Sequence, residues 1–148
     1  MIPVVAIFDV GKTHKKVFLF DEDYEIRYER STELSETTDE DGFPCEDLGA
    51  LSDWLVDSLD DLISAKKFAI QAVNICAYGA SLVYIDSVGR ALTPLYNYLK
   101  PFPERLNKTF YETYGGEAEV SRSTASPASG SLNSGLQLYR IKCEQPAV

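Results

Sequence analysis

The sequence has 148 residues, of which 45% are hydrophobic, and its 14 Lys and Arg against 23 Asp and Glu give a formal net charge of −9. This composition predicts one globular domain with its own core. The acidic excess argues against a nucleic-acid partner, which calls for clustered Lys and Arg. No apolar run is long enough to cross a bilayer, and the first residues lack the pattern of a secretory signal. We therefore expect a cytoplasmic protein without a membrane partner.

The first elements are two short strands around a polar turn. Residues 4–10 and 17–20 are rich in apolar and β-branched side chains, which predicts a β-hairpin. The turn reads DVGKTHKK, and a plain hairpin there needs little more than Gly11. Turn chemistry by itself leaves a structural and a functional interpretation open. His14 is the single histidine, and we expect it at the surface rather than as a general base.

The next segment, residues 31–65, is acidic and contains no Lys, Arg or His. Its first part is interpreted as a solvated polar loop, since DEDG lacks the alternating ligands of an EF-hand calcium loop. From Leu48 the apolar residues recur at spacings of three and four, which predicts an amphipathic helix over 48–63 with a solvated acidic face.

The second half alternates apolar runs with small polar segments. FAIQAVNICA at 68–77 predicts a buried strand and SLVYID at 81–86 a further strand. A helix is predicted over 103–114, ending at two glycines, and another begins at LQLYRIK. The cysteines are Cys45, Cys76 and Cys143. Their odd number and wide spacing predict thiols rather than a zinc site or disulfides.

This order of elements resembles the ribonuclease-H-like half-domain of the actin, hexokinase and sugar-kinase group. The fold class that it implies is α/β, with a mixed sheet that contains antiparallel hairpin strands and is flanked by helices.

Three segments are similar to FGGY carbohydrate kinases. The first, DVGKTHKKVFLFD, resembles the family's first phosphate-binding segment, and its matching residues are Asp9, Gly11, Lys12, Thr13, Lys16 and Asp21. The second, AVNICAYGASLVYIDSVGRALTP, resembles a strand, a sugar-contacting turn and a strand that ends in Asp, with matches at Asp86, Gly89, Arg90, Leu92 and Pro94. The third, STASPASGSLNSGLQLYRIK, resembles the small-residue loop and helix that come next.

The resemblance implies an ATP-dependent sugar kinase, which transfers the γ-phosphate to a hydroxyl of a small ketose or deoxy-ketose. Phosphoryl transfer needs positioned phosphates and offset negative charge. The implied binding residues for the ATP phosphates are Asp9, Gly11, Lys12, Thr13 and Lys16, with Asp9 also orienting Mg²⁺ through its waters. The implied substrate-binding residues are Tyr78, Gly79, Ala80, Ser81 and Lys100.

The chain departs from the family at the sugar-contacting turn. Many members carry Gln and a Met-His pair where this chain has Tyr78, Gly79 and Ala80, and LYNYLKPFPER contains no counterpart of their Trp-x-Asp-x-Arg element. Tyr78 either stacks on a sugar ring or packs, and the two small residues either leave room for a ligand or complete a turn. A non-catalytic relative with the same cleft, and an acetate-kinase-like or actin-like ATPase, stay open as alternatives.

Length is the largest departure, since family members have two domains. We expect residues 1–148 to be an incomplete N-terminal sugar-kinase domain, with the second domain absent. The catalytic base would then lie beyond Val148, and the chain alone would be inactive. A surface left uncovered by the missing domain invites self-association, so we expect a homodimer or a soluble oligomer.

Overall fold

The chain contains both strands and helices: five strands precede the first helix, one strand follows it, and helices make up the rest of the regular structure. The computed structural model describes residues 1–148. The strands are β1 (Ile2–Val10), β2 (His14–Phe20), β3 (Ile26–Glu33), β4 (Glu36–Thr38), β5 (Pro44–Glu46) and β6 (Phe68–Ala77). The helices are α1 (Leu48–Ser64), α2 (Glu104–Thr113), α3 (Glu117–Thr124) and α4 (Ser134–Glu144). Residue contacts divide the chain into unit 1 (Met1–Thr37 and Glu46–Gly79) and unit 2 (Thr38–Cys45 and Ala80–Val148).

Unit 1 is built on a four-stranded mixed sheet of order β3-β2-β1-β6. β2 lies antiparallel to β1 and β3, whereas β6 lies parallel to β1. A parallel neighbour cannot be reached through a tight turn, and α1 lies in the connection that leads to β6. The expected mixed sheet with antiparallel hairpin strands is confirmed, and β1 and β2 both begin earlier than the sequence pattern predicts.

The core of unit 1 lies between one face of this sheet and α1. Alternate residues of β1 and β2 point to this face, as a strand period of two requires. The buried core residues are Val4, Ala6, Phe8, Val17, Leu19, Leu62 and Phe68. The rings of Phe8 and Trp54 meet edge to face with their centroids 5.6 Å apart. Burial of each large apolar side chain contributes about 1.5–3 kcal/mol.

Helix α1 begins where the sequence predicts, and its first turn is capped by a side chain. Asp47 Oδ1 accepts a hydrogen bond from the Ala50 N–H at 3.0 Å, which satisfies one of the free donors at the helix start. Leu51 and Leu62 are buried, whereas Asp53 and Asp57 are exposed. The predicted amphipathic helix is therefore confirmed.

Strand β6 has the predicted bounds, but the prediction that it is buried is wrong. Only Phe68 is buried, and every residue from Gln71 to Ala77 is exposed. The reason is position, because β6 is the edge strand of this sheet. Val73 and Ile75 are 45% and 55% exposed. A groove of about 820 Å³, lined largely by apolar residues of α1 and β6, runs along this edge.

Helices make up most of the regular structure of unit 2, and its core is smaller. Leu106, Leu136 and Ile141 are buried, and each comes from α2 or α4. Both predicted helices are confirmed. Helix α2 ends at Thr113, shortly before Gly115 and Gly116, whose φ angles of 89° and 97° favour glycine. None of the helices in the chain is both long and apolar enough to cross a membrane.

Two features of unit 2 differ from the prediction. Residues 81–86 form no strand, and a single bridge joins Ile85 to Ala91. The segment instead folds back through a turn in which Asp86 Oδ1 accepts hydrogen bonds from the N–H groups of Val88 and Arg90, so its β-forming side chains find no continuous partner strand. Helix α3 was not predicted, because its polar sequence has no apolar period.

Candidate functional site

The turn between β1 and β2 approaches its own backbone closely. A Cβ atom built on Gly11 would lie 2.6 Å from the carbonyl oxygen of His14. No side chain fits that space without a backbone shift, so glycine is required here for a close approach. The chain therefore makes a tight bend between β1 and β2.

Asp9 and Lys16 lie together beside this turn. They are register partners on β1 and β2 and so share the sheet face that α1 does not cover. Asp9 is half-buried at the end of β1. Lys16 Nζ lies 3.6 Å from Glu29 Oε1 and 5.7 Å from the ring centroid of Phe18, with 37% of the side chain exposed. This sheet face holds a carboxylate and a partly exposed cation next to the bend.

The remaining turn residues point in other directions. Lys12 Nζ donates to Glu36 Oε1 at 2.5 Å, so its charge is already paired. Thr13 is exposed, and its hydroxyl is accessible to a ligand. His14 is at the surface, as expected, with its Nε2 2.9 Å from Glu33 Oε1. The structure brings all five implied phosphate-binding residues to one end of one hairpin.

Lys15 is a buried charged residue of this hairpin that was not predicted from the sequence. It is only 1% exposed, on the same sheet face as Val17 and Leu19. Its ammonium group donates to Glu46 Oε1 and, at 3.1 Å, to the carbonyl oxygen of Lys12. The available signal was alternation, because Lys15 is in phase with the apolar residues of β2.

Glu46 connects Lys15 to the end of β6. The hydroxyl of Tyr78 donates to Glu46 Oε2 at 2.9 Å, and the Tyr78 N–H donates to the Val10 carbonyl oxygen at 3.0 Å. Tyr78 is thus bonded through its hydroxyl to Glu46 and through its N–H to the end of β1. Gly79 is exposed, and a Cβ built there would meet no atom within 4 Å, so open space lies beside it.

Two other implied substrate residues begin unit 2. Ala80 has a φ of 62°, a left-handed conformation that is uncommon for a residue with a Cβ. Its carbonyl oxygen accepts a hydrogen bond from Gln137 Nε2. Ser81 Oγ donates to the carbonyl oxygen of Tyr96 at 3.3 Å. Local strain of this kind concentrates at functional sites, and here the polar contacts hold it.

Lys100 lies buried within unit 2, with 8% of its surface exposed. Its Nζ donates to Asp39 Oδ2 at 2.5 Å and to Asp41 Oδ2 at 2.6 Å. An ammonium group has three hydrogens, so two are taken up by these carboxylates. The role of Lys100 toward a substrate stays a prediction, and its internal role is that of a bridge between two acidic residues.

The surroundings of Lys100 and Asp39 favour the charged form of each side chain. Burial alone raises the pKa of Asp39, but the hydrogen bonds from Lys100 and from the N–H groups of Phe43 and Asp41 outweigh it and lower the pKa. Burial likewise opposes the charge on Lys100, yet the hydrogen bonds to Asp39 and Asp41 raise its pKa. The pair is therefore ionised on both sides at neutral pH.

A tyrosine beside the pair resists ionisation. Burial and the hydrogen bond that its hydroxyl donates to Glu40 Oε1 raise the pKa of Tyr96 to about 12. Arg140 lies over the same ring, with its guanidinium carbon 5.5 Å from the centroid. Tyr96 thus remains a neutral hydrogen-bond donor.

The interpretation of the acidic segment as a solvated loop is wrong for two of its members. Asp39 and Glu46 are 6% exposed each, and both pair with buried lysines of their own units. Their partners are distant in sequence, so a local charge pattern does not reveal them. No group of three or more His, Cys, Asp or Glu is arranged to hold a metal ion. The three cysteines form no disulfide.

The sheet order, the hairpin turn and the parallel strand reached past a helix define the class of fold. They are those of a ribonuclease-H-like domain of the actin-like ATPase type, and this expected fold is confirmed by solved structures. The chain resembles carbohydrate kinases in structure. No protein-family model and no curated protein matches the sequence.

Three of the similar structures illustrate the likeness. A carbohydrate kinase from Novosphingobium aromaticivorans has a TM-score of 0.78 and 22% identity over 96% of this chain. Plasmodium falciparum glycerol kinase with ADP has a TM-score of 0.83 and 17% identity over 99% of it. Xylulose kinase from Lactobacillus acidophilus has a TM-score of 0.77 and 19% identity over 99% of it. The chain spans 29%, 30% and 30% of these kinases, respectively.

Proposed function

We propose that this chain supplies the phosphate-binding part of an ATP-dependent sugar kinase of the FGGY type. The observation that carries the proposal is the hairpin end, where a turn that only glycine fits lies next to Asp9 and Lys16. The similar structures support it, because their names are those of carbohydrate kinases and one was solved with ADP.

The residues present fit a magnesium nucleotide. Mg²⁺ keeps several waters and is usually held by one or two carboxylates together with the phosphates, so a single half-buried Asp9 is sufficient. The bend at Gly11 offers main-chain N–H groups, Thr13 offers a hydroxyl donor, and Lys16 offers a partly exposed charge. Bound MgATP would supply the phosphoryl group, and these residues would hold its phosphates in place.

The sugar side of the proposal rests on the segment 78–81 and Lys100. The acceptor would be a small ketose or deoxy-ketose, in contact with Tyr78 and with the open space beside Gly79. The general base that deprotonates the acceptor hydroxyl would come from outside these 148 residues. We propose a cytoplasmic location, where ATP is abundant, and no turnover by this chain alone.

Titration calorimetry tests the nucleotide site in this chain. MgATP should bind the wild type, and Asp9→Asn and Lys16→Met should each weaken binding at least tenfold, since a charge-assisted contact is worth about 1.5–3 kcal/mol. Asp53→Asn and Lys108→Met change the same chemistry at exposed positions and should bind like the wild type. Equal affinities in all five proteins would remove the proposal.

A second candidate function is favoured by a specific observation. Lys100 and Tyr78, both implied sugar-binding residues, already donate to carboxylates of their own units. A non-catalytic relative that binds a ligand in the same fold would tolerate such contacts. A polypeptide that carries this chain with the second kinase domain should phosphorylate one sugar of a ketose panel under the first proposal, and should bind without turnover under the second.

Self-association belongs to the proposal as well. Ile63 in α1 and Ile75 in the edge strand β6 are each 55% exposed, and exposed apolar surface promotes association. Sedimentation equilibrium of the chain should detect a homodimer, and Ile75→Asp should shift it to monomer. A wild type that stays monomeric at high concentration would contradict this part.

A further inference from the structure

Lys15 occupies a position where a strand pattern calls for an apolar residue. It alternates with Val17 and Leu19 on β2 and pairs in register with Val10, all of them on the core side of the sheet. Burying an ion pair is often no more stabilising than burying apolar side chains of the same volume. Fold stability is therefore a weak explanation for a lysine at this position. The hydrogen bonds of Lys15 suggest a different one.

These contacts join two turns of unit 1. The Lys15 ammonium group donates one hydrogen bond to the Lys12 carbonyl oxygen, inside the turn after β1, and another to the carboxylate of Glu46. From Glu46, the second carboxylate oxygen accepts the hydroxyl of Tyr78, at the end of β6. The Tyr78 N–H closes the circuit by donating to the Val10 carbonyl oxygen, one residue before Gly11.

We propose that Lys15, Glu46 and Tyr78 form a positioning relay, which fixes the conformation of the Gly11–Thr13 turn and couples it to the segment that follows β6. The inference rests on the proposed function in one respect, since it takes this turn as the phosphate-binding turn. The three residues act through the Lys12 carbonyl and touch no nucleotide themselves. A change at Tyr78 should therefore alter nucleotide binding at the turn.

Two variants separate positioning from a purely structural role. Lys15→Met/Glu46→Leu replaces the whole ion pair by apolar side chains and should leave the protein folded, because no unpaired charge stays buried. Tyr78→Phe removes one hydroxyl and leaves the ion pair in place. Tyr28→Phe is the matched control, because Tyr28 lies in the same unit with its ring packed against Phe68.

The order of the turn is measured by ¹⁵N relaxation of the labelled chain. In the wild type, the amides of residues 11–13 should have order parameters near 0.85, the value of a rigid backbone, and in Lys15→Met/Glu46→Leu they should fall below about 0.6. Tyr78→Phe should lower them in the same direction, and Tyr28→Phe should leave them unchanged. A turn that stays equally ordered in both relay variants would overturn the inference.

The same samples are titrated with MgATP, so that failure of the proposed function is recognised separately. If the wild type binds, Tyr78→Phe should weaken binding at least about fivefold, the lower range of ordinary coupling between sites. Unchanged affinity in Tyr78→Phe would refute the coupling. If the wild type does not bind MgATP but the order parameters of residues 11–13 fall in the two relay variants, the proposed nucleotide site is wrong and the positioning relay still holds.

Discussion

The two units each contain one buried lysine paired with a carboxylate, and the surroundings of the two pairs differ. Lys15 lies on a regular strand above an apolar core, with Glu46 as its carboxylate partner. Lys100 lies in a stretch without helix or strand and pairs with Asp39 and Asp41. In unit 1 the ion pair is therefore added to a sheet whose strands are already fixed by backbone hydrogen bonds. In unit 2 the ion pair itself holds chain that has no regular secondary structure.

Other contacts of unit 2 support this difference. Asn97 Nδ2 donates to the Pro44 carbonyl oxygen at 3.1 Å, and Ser131 Oγ donates to the Lys100 carbonyl oxygen at 2.7 Å. Buried backbone groups outside regular elements must find side-chain partners. Polar residues in this unit consequently replace the ladder hydrogen bonds that a sheet would provide.

The largest expected effect is that of removing Lys15 alone. Lys15→Met leaves the carboxylate of Glu46 buried without its counter-charge, which should lower the free energy of unfolding by about 3–5 kcal/mol. Lys15→Met/Glu46→Leu should recover most of that loss. Urea denaturation followed by the fluorescence of Trp54, the single tryptophan, measures both. If Lys15→Met were as stable as the wild type, Lys15 and Glu46 would not form a buried ion pair.

Removal of Lys100 should have a somewhat smaller effect. Asp39 keeps two backbone N–H donors, from Asp41 and Phe43 at 3.0 Å each, so Lys100→Met should reduce stability by about 2–3 kcal/mol, the value of a charged hydrogen bond. Denaturation followed by circular dichroism measures it. Lys108→Met, at a site 74% exposed, is the control and should change stability by less than about 0.5 kcal/mol.

The two units should differ most clearly in the stability of the double variants that replace each ion pair by apolar side chains. Lys100→Met/Asp39→Leu should not recover stability, because the N–H groups of Asp41 and Phe43 would lose their acceptor. In unit 1 the corresponding exchange should recover it. Full recovery in both units would erase the distinction between them.

A smaller effect is expected at the start of α1. Asp47→Ala removes the acceptor of the Ala50 N–H and should lower stability by about 1 kcal/mol. The thermal unfolding midpoint measures this change. Asp53→Ala, on the exposed side of the same helix, should not destabilise the protein. An equal loss in both variants would show that the cap is not the cause.

The pH dependence should be the mildest effect near neutrality. The pKa of Asp39 is lowered in the folded state, so its contribution is complete above its ordinary value and is lost as the pH falls through the lowered pKa. The pKa of Lys100 is raised, so its contribution is complete below its ordinary value and is lost as the pH rises through the raised pKa. Urea midpoints should be flat near neutral pH, and Asp39→Asn should reduce the loss in acid.

The sequence predicted elements with a clear period and missed features that depend on distant residues. The hairpin, α1, α2 and α4 follow from local patterns of apolar residues. The apolar run of β6 predicted a strand but could not reveal that its residues from Gln71 to Ala77 are exposed. Residues 81–86 have strand propensity, yet the turn at Asp86 decides their conformation. No local pattern identifies Asp39 as the partner of Lys100.

The same reason explains how much of the candidate site was predicted. The residues around Gly11 are adjacent in sequence, and the structure places them at one hairpin end. Lys15 and Glu46 are 31 residues apart, and Glu46 lies in the segment that was interpreted as a solvated loop. Their burial follows from the pairing of β1 with β2 and from the path of the chain before α1, which only the folded structure contains.

The central claim is that the Gly11–Thr13 turn binds the phosphates of MgATP. The most direct measurement is an NMR titration of the ¹⁵N-labelled chain with MgATP, with Mg²⁺ alone and with a ketose alone as references. The account predicts that the largest shifts on adding MgATP occur at the amides of residues 11–13 and that Asp9→Asn suppresses them. Binding that shifts other amides and leaves the turn unchanged, or no shift at saturating MgATP, would contradict it.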